Sequence, residues 1–186
     1  MKILMISIWI LACSSSAFTQ GNIYQLSFPG IGGSTITMSS YTGKKIVVAV
    51  CSFSAPNLQQ LKSLDSLSKN RAGNISVILI PVRDFDSLAI PAGTQDMQQL
   101  LANGLQLSYI VAAPSMGKKA SGGTQHPLLQ WATNKGQNGH FDVDVEQLWQ
   151  IFVLGGKGNL YAVMQGKNDL TGENMNNVLN AQAPTN

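Results

Sequence analysis

The stretch "KKIVVAVCSFSAPNLQQL", Lys44 to Leu61, holds the side chain best suited to covalent chemistry, Cys51, where an apolar run meets a helical one. Cysteine attacks electrophiles as its thiolate, so a reactive one needs surroundings that lower the thiol pKa. A position just before a helix supplies them, because unpaired backbone N–H groups and the positive end of the helix dipole favour an anion. Ser54-Ala55-Pro56 is expected to form the cap and first turn of that helix, a few residues from Cys51. Such effects are worth ~0.3–1 kcal/mol when exposed and ~2 kcal/mol when partly buried. One pKa unit corresponds to ~1.4 kcal/mol, so a shift of about one unit is within reach. The plain alternative is that Cys51 is a small buried residue, as free cysteines commonly are.

The other reactive types are few. His126 opens "HPLLQWATNKGQNG", a short helix with Pro127 in its first turn, and is expected to cap it or to pack at the surface. His140 follows a glycine-rich loop and is expected to be exposed. Two histidines and one cysteine make a thin copper set, so no metal and no bound cofactor are expected. The glycines of "GGKGN" make a hairpin turn rather than a phosphate loop, because no helix follows them.

The chain of 186 residues is 44% hydrophobic and 11% charged, which fits one globular domain with sparse surface charge. Its net charge of +3 includes Lys2 and forms no basic run, which argues against nucleic acid as a partner. Residues 1–20, "MKILMISIWILACSSSAFTQ", have the pattern of an export signal: Lys2, an apolar segment from Ile3 to Ala12, then Ser15-Ser16-Ala17 before a cut. The apolar segment is short for a membrane span. "ILAC" ending at Cys13 is also similar to a bacterial lipobox, in which Cys13 becomes the lipidated first residue, although Leu11 fits that pattern poorly. Under either processing Cys51 is the sole free thiol of the mature chain, residues 21–186, read as a single domain in the periplasm or cell envelope. Membrane attachment is expected only if Cys13 is lipidated.

These residues must be held by a definite set of elements. "NIYQLSFPGIGGSTITMSSY" alternates around Gly32-Gly33 as a β-hairpin. "KIVVAV" and "NISVILIPV" are continuous apolar runs, the mark of strands covered on both faces. Leu58, Leu61, Leu64 and Leu67 recur at helical spacing, and Leu58, Leu61 and Leu64 are expected in the core. "TQDMQQLLANGL" reads as a second helix with a Thr94 cap and an Asn-Gly stop. "LWQIFVLGGKGNLYAVMQG" reads as two strands joined at Gly155–Gly158, and the polar tail from Lys167 ends in a helical turn. Strand–helix–strand–helix followed by a hairpin means α/β with a central mixed sheet.

The order of these elements matches the thioredoxin fold, and the local words resemble the glutathione peroxidase family over roughly Ile23 to Gln165. "IYQLSFPGIGGSTITMSSYTGKKIVVAV" is similar to the family's opening hairpin, Tyr-x-Gly-Lys turn and strand. "CSFSAPNLQQL" is similar to its active-site segment, with Asn57, Gln60 and Leu61 in step, so the resemblance puts Cys51 at the peroxidatic position. "ILIPVRDF", "QHPLLQW" and "QLWQIFVLGGKGNLYAV" resemble later signatures in the family's order. The departures are specific. The family surrounds its cysteine with Gln, Trp and Asn; here Asp84 replaces the Gln, Gln147 and Leu148 replace the Trp-Asn pair, and Trp149 is displaced by two positions. The glycine after the cysteine is Ser52.

The resemblance implies an exported thiol peroxidase, active in the response to oxidative stress, with Cys51 as nucleophile and Asp84 and Gln147 at the substituted partner positions. The thiolate attacks a peroxide oxygen, leaving a sulfenic acid and releasing water or alcohol. With no resolving cysteine, an external reductant must restore the thiol, either a small thiol or a thioredoxin-like partner. A carboxylate at Asp84 opposes the thiolate if it lies close, and Arg83 next to it points to the opposite face of a strand. The rival expectation is a catalytically degenerate thioredoxin-fold binding module of the cell envelope, since three polar partners are replaced. Thiol–disulfide exchange with client proteins is disfavoured by the single cysteine.

Overall fold

The protein is seen in a computed structural model that describes residues 21–86, 92–165 and 170–182. The leader expected at residues 1–20, with Cys13, and part of the polar tail lie outside the described residues. The N-terminal hairpin is present, with β1 (Ser27–Pro29) paired antiparallel to β2 (Thr35–Thr37). A second sheet has the order β5-β4-β3-β6-β7, formed by β3 (Lys45–Ser52), β4 (Ile75–Val82), β5 (Ile110–Val111), β6 (Ile151–Leu154) and β7 (Leu160–Met164). β3 runs parallel to β4 and β4 parallel to β5, whereas β6 and β7 run antiparallel to their neighbours. The sheet is mixed, as the sequence predicts.

The alternation of β3 explains why its sequence is apolar throughout. Val47, Ala49 and Cys51 enter one apolar cluster, Ile46, Val48 and Val50 the other. The first cluster is covered by α1 (Leu58–Asn70), α2 (Met97–Ala102) and α5 (Glu173–Asn180), through Leu61, Leu64, Leu67, Met97, Met175 and Leu179. The second is covered by the hairpin and by α3 (Pro127–Thr133), through Phe28, Ile36, Leu128, Leu129 and Trp131. A short α4 (Lys135–Asn138) follows α3. No helix among the described residues is long and apolar enough to cross a membrane.

Two sequence expectations about helices are corrected. Leu58 is 42% exposed rather than core. A strict three-residue spacing drifts by about 60° per step on a helix with 3.6 residues per turn, so a face centred on Leu61, Leu64 and Ser68 turns Leu58 towards solvent. The cap of α2 is Asp96, not Thr94: its carboxylate accepts from Gln99 N, and the Gln99 side chain accepts from Asp96 N, a reciprocal capping box.

The turn between β6 and β7 is a hairpin turn as expected, and it docks on Tyr24 and on Gly43, just before β3. Gly43 N donates to Gly156 O at 3.0 Å and the Tyr24 hydroxyl to the same carbonyl at 2.7 Å. A Cβ at position 156 would meet Gly43 O at 2.7 Å, so only glycine permits this approach.

Candidate functional site

The site is built around the exit of β3. The strand continues to Ser52, so Cys51 lies inside it and not in the turn. Its parity turns the sulfur into the cluster that holds Leu61, Leu64, Met97, Tyr109 and Trp149, and the residue is 0% exposed. Burial pushes the Cys51 thiol far above its ordinary range, and the nearby Asp86 carboxylate pushes it further in the same direction. Both act against a thiolate.

The backbone donors that would have favoured an anion are engaged. Phe53 N donates to Val82 O at 3.0 Å, Ser54 N to Asp86 Oδ1 at 3.2 Å, and Ala55 N to Ser52 Oγ at 2.9 Å. Pro56 has no N–H. The helix also begins later than expected: Asn57, not Ser54, is the cap of α1, its side chain accepting from Gln60 N at 3.1 Å. The Ser54 hydroxyl is instead committed to Asp86 Oδ2 at 2.5 Å. The dipole end that was to lower the Cys51 pKa is therefore six residues away from it.

Asp86 was not singled out in the sequence, yet it organises this junction. It accepts from the Ser52 hydroxyl at 2.6 Å as well as from both donors of Ser54. Its signal is a carboxylate two residues past Asp84, but its partners lie more than thirty positions earlier, and no local pattern joins them.

The side chains at the two substituted partner positions are hydrogen-bonded to other segments. Asp84 Oδ2 accepts from Gly117 N at 2.8 Å and Lys118 N at 2.6 Å, fastening the loop that precedes α3. Arg83 is exposed and lies over the Phe53 ring, 4.1 Å from its centroid. The Gln147 side-chain amide donates to Gln165 Oε1. Trp149 is the partner-type residue that does reach the cysteine's cluster. Trp149 N donates to Val50 O at 2.6 Å, and its backbone is left-handed at φ 63°, unusual for a bulky residue.

His126 caps α3 through Nδ1, which accepts from Leu128 N at 3.2 Å, so its expected capping role is seen while its expected surface position is not. The ring is buried edge-on against Phe28, 4.5 Å between centroids, and burial holds its pKa down to about 4. His140 is exposed. Among the described residues no three His, Cys, Asp or Glu side chains cluster as metal ligands.

The fold these elements define is thioredoxin-like, a central mixed sheet flanked by helices with an N-terminal hairpin. No protein-family profile matches the chain, and no curated protein matches its sequence. Among solved structures, Trgpx in its apo form aligns with TM-score 0.63 and 17% identity, over 89% of this chain and 100% of that one. T. cruzi GPX1 aligns with TM-score 0.62 and 13% identity, over 85% and 94%. A thiol:disulfide interchange protein of the thioredoxin family from Chlorobium tepidum TLS aligns with TM-score 0.53 and 17% identity, over 81% and 89%. The fold is thus shared with proteins named for peroxidase and for thiol:disulfide chemistry; at these identities the likeness is one of fold.

Proposed function

We propose that this protein is an exported module of the cell envelope that keeps a glutathione-peroxidase-like scaffold without its thiol chemistry and works by binding. The observation carrying this reading is the burial of Cys51 in an apolar cluster, with each neighbouring backbone donor satisfied by another group. Removing a thiolate from water without hydrogen-bond donors is costly, so the neutral thiol persists at physiological pH. Export is supported by the leader-like residues 1–20, and the sparse surface charge agrees with it.

A second reading, a thiol peroxidase acting on hydrogen peroxide or organic hydroperoxides, is favoured by the place of Cys51 one residue from the end of β3 and by the fold shared with Trgpx and T. cruzi GPX1. It requires the exit of β3 to open. The thiolate then displaces water or alcohol from the peroxide, and two external thiols return the sulfenic acid to the thiol, one by condensing with it and one by releasing the mixed disulfide.

Peroxide consumption separates the two. The mature protein and its Cys51→Ser variant are each given hydrogen peroxide or cumene hydroperoxide, with glutathione or reduced thioredoxin as reductant. The binding-module reading expects equal, background consumption by both. Turnover by the wild type that vanishes in Cys51→Ser establishes the peroxidase.

A further inference from the structure

The end of the molecule opposite Cys51 carries a groove with a volume of about 760 Å3, lined in part by Lys45, Arg71, Asn74, Lys157, Asn180 and Gln182. Three of its lining residues are cationic and none is acidic. Lys45 opens β3 and Cys51 lies six residues further along it, so groove and thiol are roughly 20 Å apart. The groove belongs to neither reading of the cysteine and stands independently of both.

Its cations are positioned without being neutralised. Lys45 Nζ donates to the carbonyls of Leu179 and Ala181, where α5 ends. Arg71 Nη1 donates to Asn180 Oδ1 at 3.0 Å and Nη2 to Asn176 Oδ1 at 2.8 Å. These partners are neutral, and they take two of the five N–H donors of the guanidinium. The ion pairs among the described residues, Lys69–Asp65 and Lys119–Asp142, leave all three groove cations aside. Lys45 and Arg71 are close enough to repel: burial, and then the Arg71 charge, pull the Lys45 pKa down. Lys157 stands exposed on the turn between β6 and β7 at the same groove.

Two hydrogen-bonded cations and one exposed cation, with no carboxylate among the described lining residues, call for a ligand carrying more than one negative charge. A monocarboxylate leaves most of that charge unmatched, whereas a phosphate monoester, close to −2 at neutral pH, matches most of it and suits the forked donors of arginine. The hollow has the size of a small-organic-ligand site, roughly 300–1,000 Å3, rather than that of a bare ion. We propose that this groove binds a phosphate group carried on an organic body, held by Arg71 and Lys157 and oriented by the surrounding asparagines.

The phosphate has two possible sources, a soluble metabolite or a lipid headgroup, and one experiment distinguishes them. The full mature protein is titrated calorimetrically with glucose 6-phosphate and with glucose, and is sedimented with vesicles containing phosphatidic acid, whose headgroup is a phosphate monoester, or only phosphatidylcholine. Arg71→Gln also loosens the seat of α5, so Lys157→Gln, on an exposed turn, is measured beside it with its melting temperature as the folding control. The proposal expects glucose 6-phosphate, or the phosphatidic acid vesicles, to bind while glucose and phosphatidylcholine do not. It expects Lys157→Gln to weaken that binding by about tenfold at unchanged melting temperature. Binding of glucose 6-phosphate identifies a soluble ligand, and binding of the vesicles alone identifies a headgroup. No binding of either probe, equal binding of the uncharged controls, or undiminished binding by the Arg71→Gln/Lys157→Gln double variant overturns it.

Discussion

Cys51 and Ser52 leave the end of β3 on opposite faces of the sheet. The sulfur enters the apolar cluster under α1, while the Ser52 hydroxyl donates to Asp86 Oδ1 at 2.6 Å and accepts from Ala55 N. The hydroxyl, not the thiol, occupies the polar side of the strand's exit. A single step in the pleat decides which of two adjacent side chains meets hydrogen-bonding partners and which meets leucines.

Asp86 is expected to hold this arrangement together. Asp86→Asn keeps the shape but weakens bonds to Ser52 and Ser54, and should cost about 1–3 kcal/mol in urea denaturation. Because those bonds tie down the exit of β3 beside Cys51, the same variant should also open more often and quicken thiol alkylation. Unchanged stability together with an unchanged alkylation rate contradicts the assignment.

The left-handed backbone of Trp149 reverses an ordinary ranking. Both Trp149→Ala and Trp149→Gly lose the indole from the cluster around Cys51 and should lose several kcal/mol, about 3–5, of stability. At φ 63°, however, glycine is unstrained where alanine is not, so Trp149→Gly should be the more stable of the two by about 1 kcal/mol. Thermal denaturation of the pair checks the order, and an alanine variant above the glycine variant refutes it.

His126 makes stability pH-dependent with a definite sign. The unfolded imidazole takes a proton near pH 6.5, and the folded one only near about 4. Between those values the unfolded state binds more protons, so stability falls as pH drops from 6.5 to about 4 and this group adds no further loss below. The total is about 3 kcal/mol. His126→Asn retains a capping oxygen and does not titrate, so urea midpoints measured from pH 7 to 4 should fall less steeply for the variant.

Much of the fold was legible because it follows from local pattern. "KIVVAV" and "NISVILIPV" announced doubly covered strands, and they are the central parallel pair, β3 and β4. The hairpin turns at Gly32-Gly33 and Gly155–Gly158 and the Pro127 start of α3 were equally local. The site was not legible for the same reason. A strand buried on both faces shows no alternation in sequence, so nothing in "VVAVCS" says which way Cys51 points. Ser54 is a good cap by type, but Asp86 takes its hydroxyl from thirty-two positions away, and Asn57 caps α1 instead. Asp84 fell in step with a family position, yet its carboxylate serves the loop at Gly117 and Lys118, a contact between segments that sequence spacing does not join.

The pH dependence of iodoacetamide alkylation of native Cys51 tests the central claim most directly, with the urea-unfolded protein as reference. A sealed, neutral thiol should react at a rate limited by opening of the fold, far below the unfolded rate, with no thiolate titration up to the onset of alkaline unfolding. A native protein that alkylates as fast as the unfolded chain, with a thiolate titrating near neutral pH, contradicts the account and restores the peroxidatic cysteine.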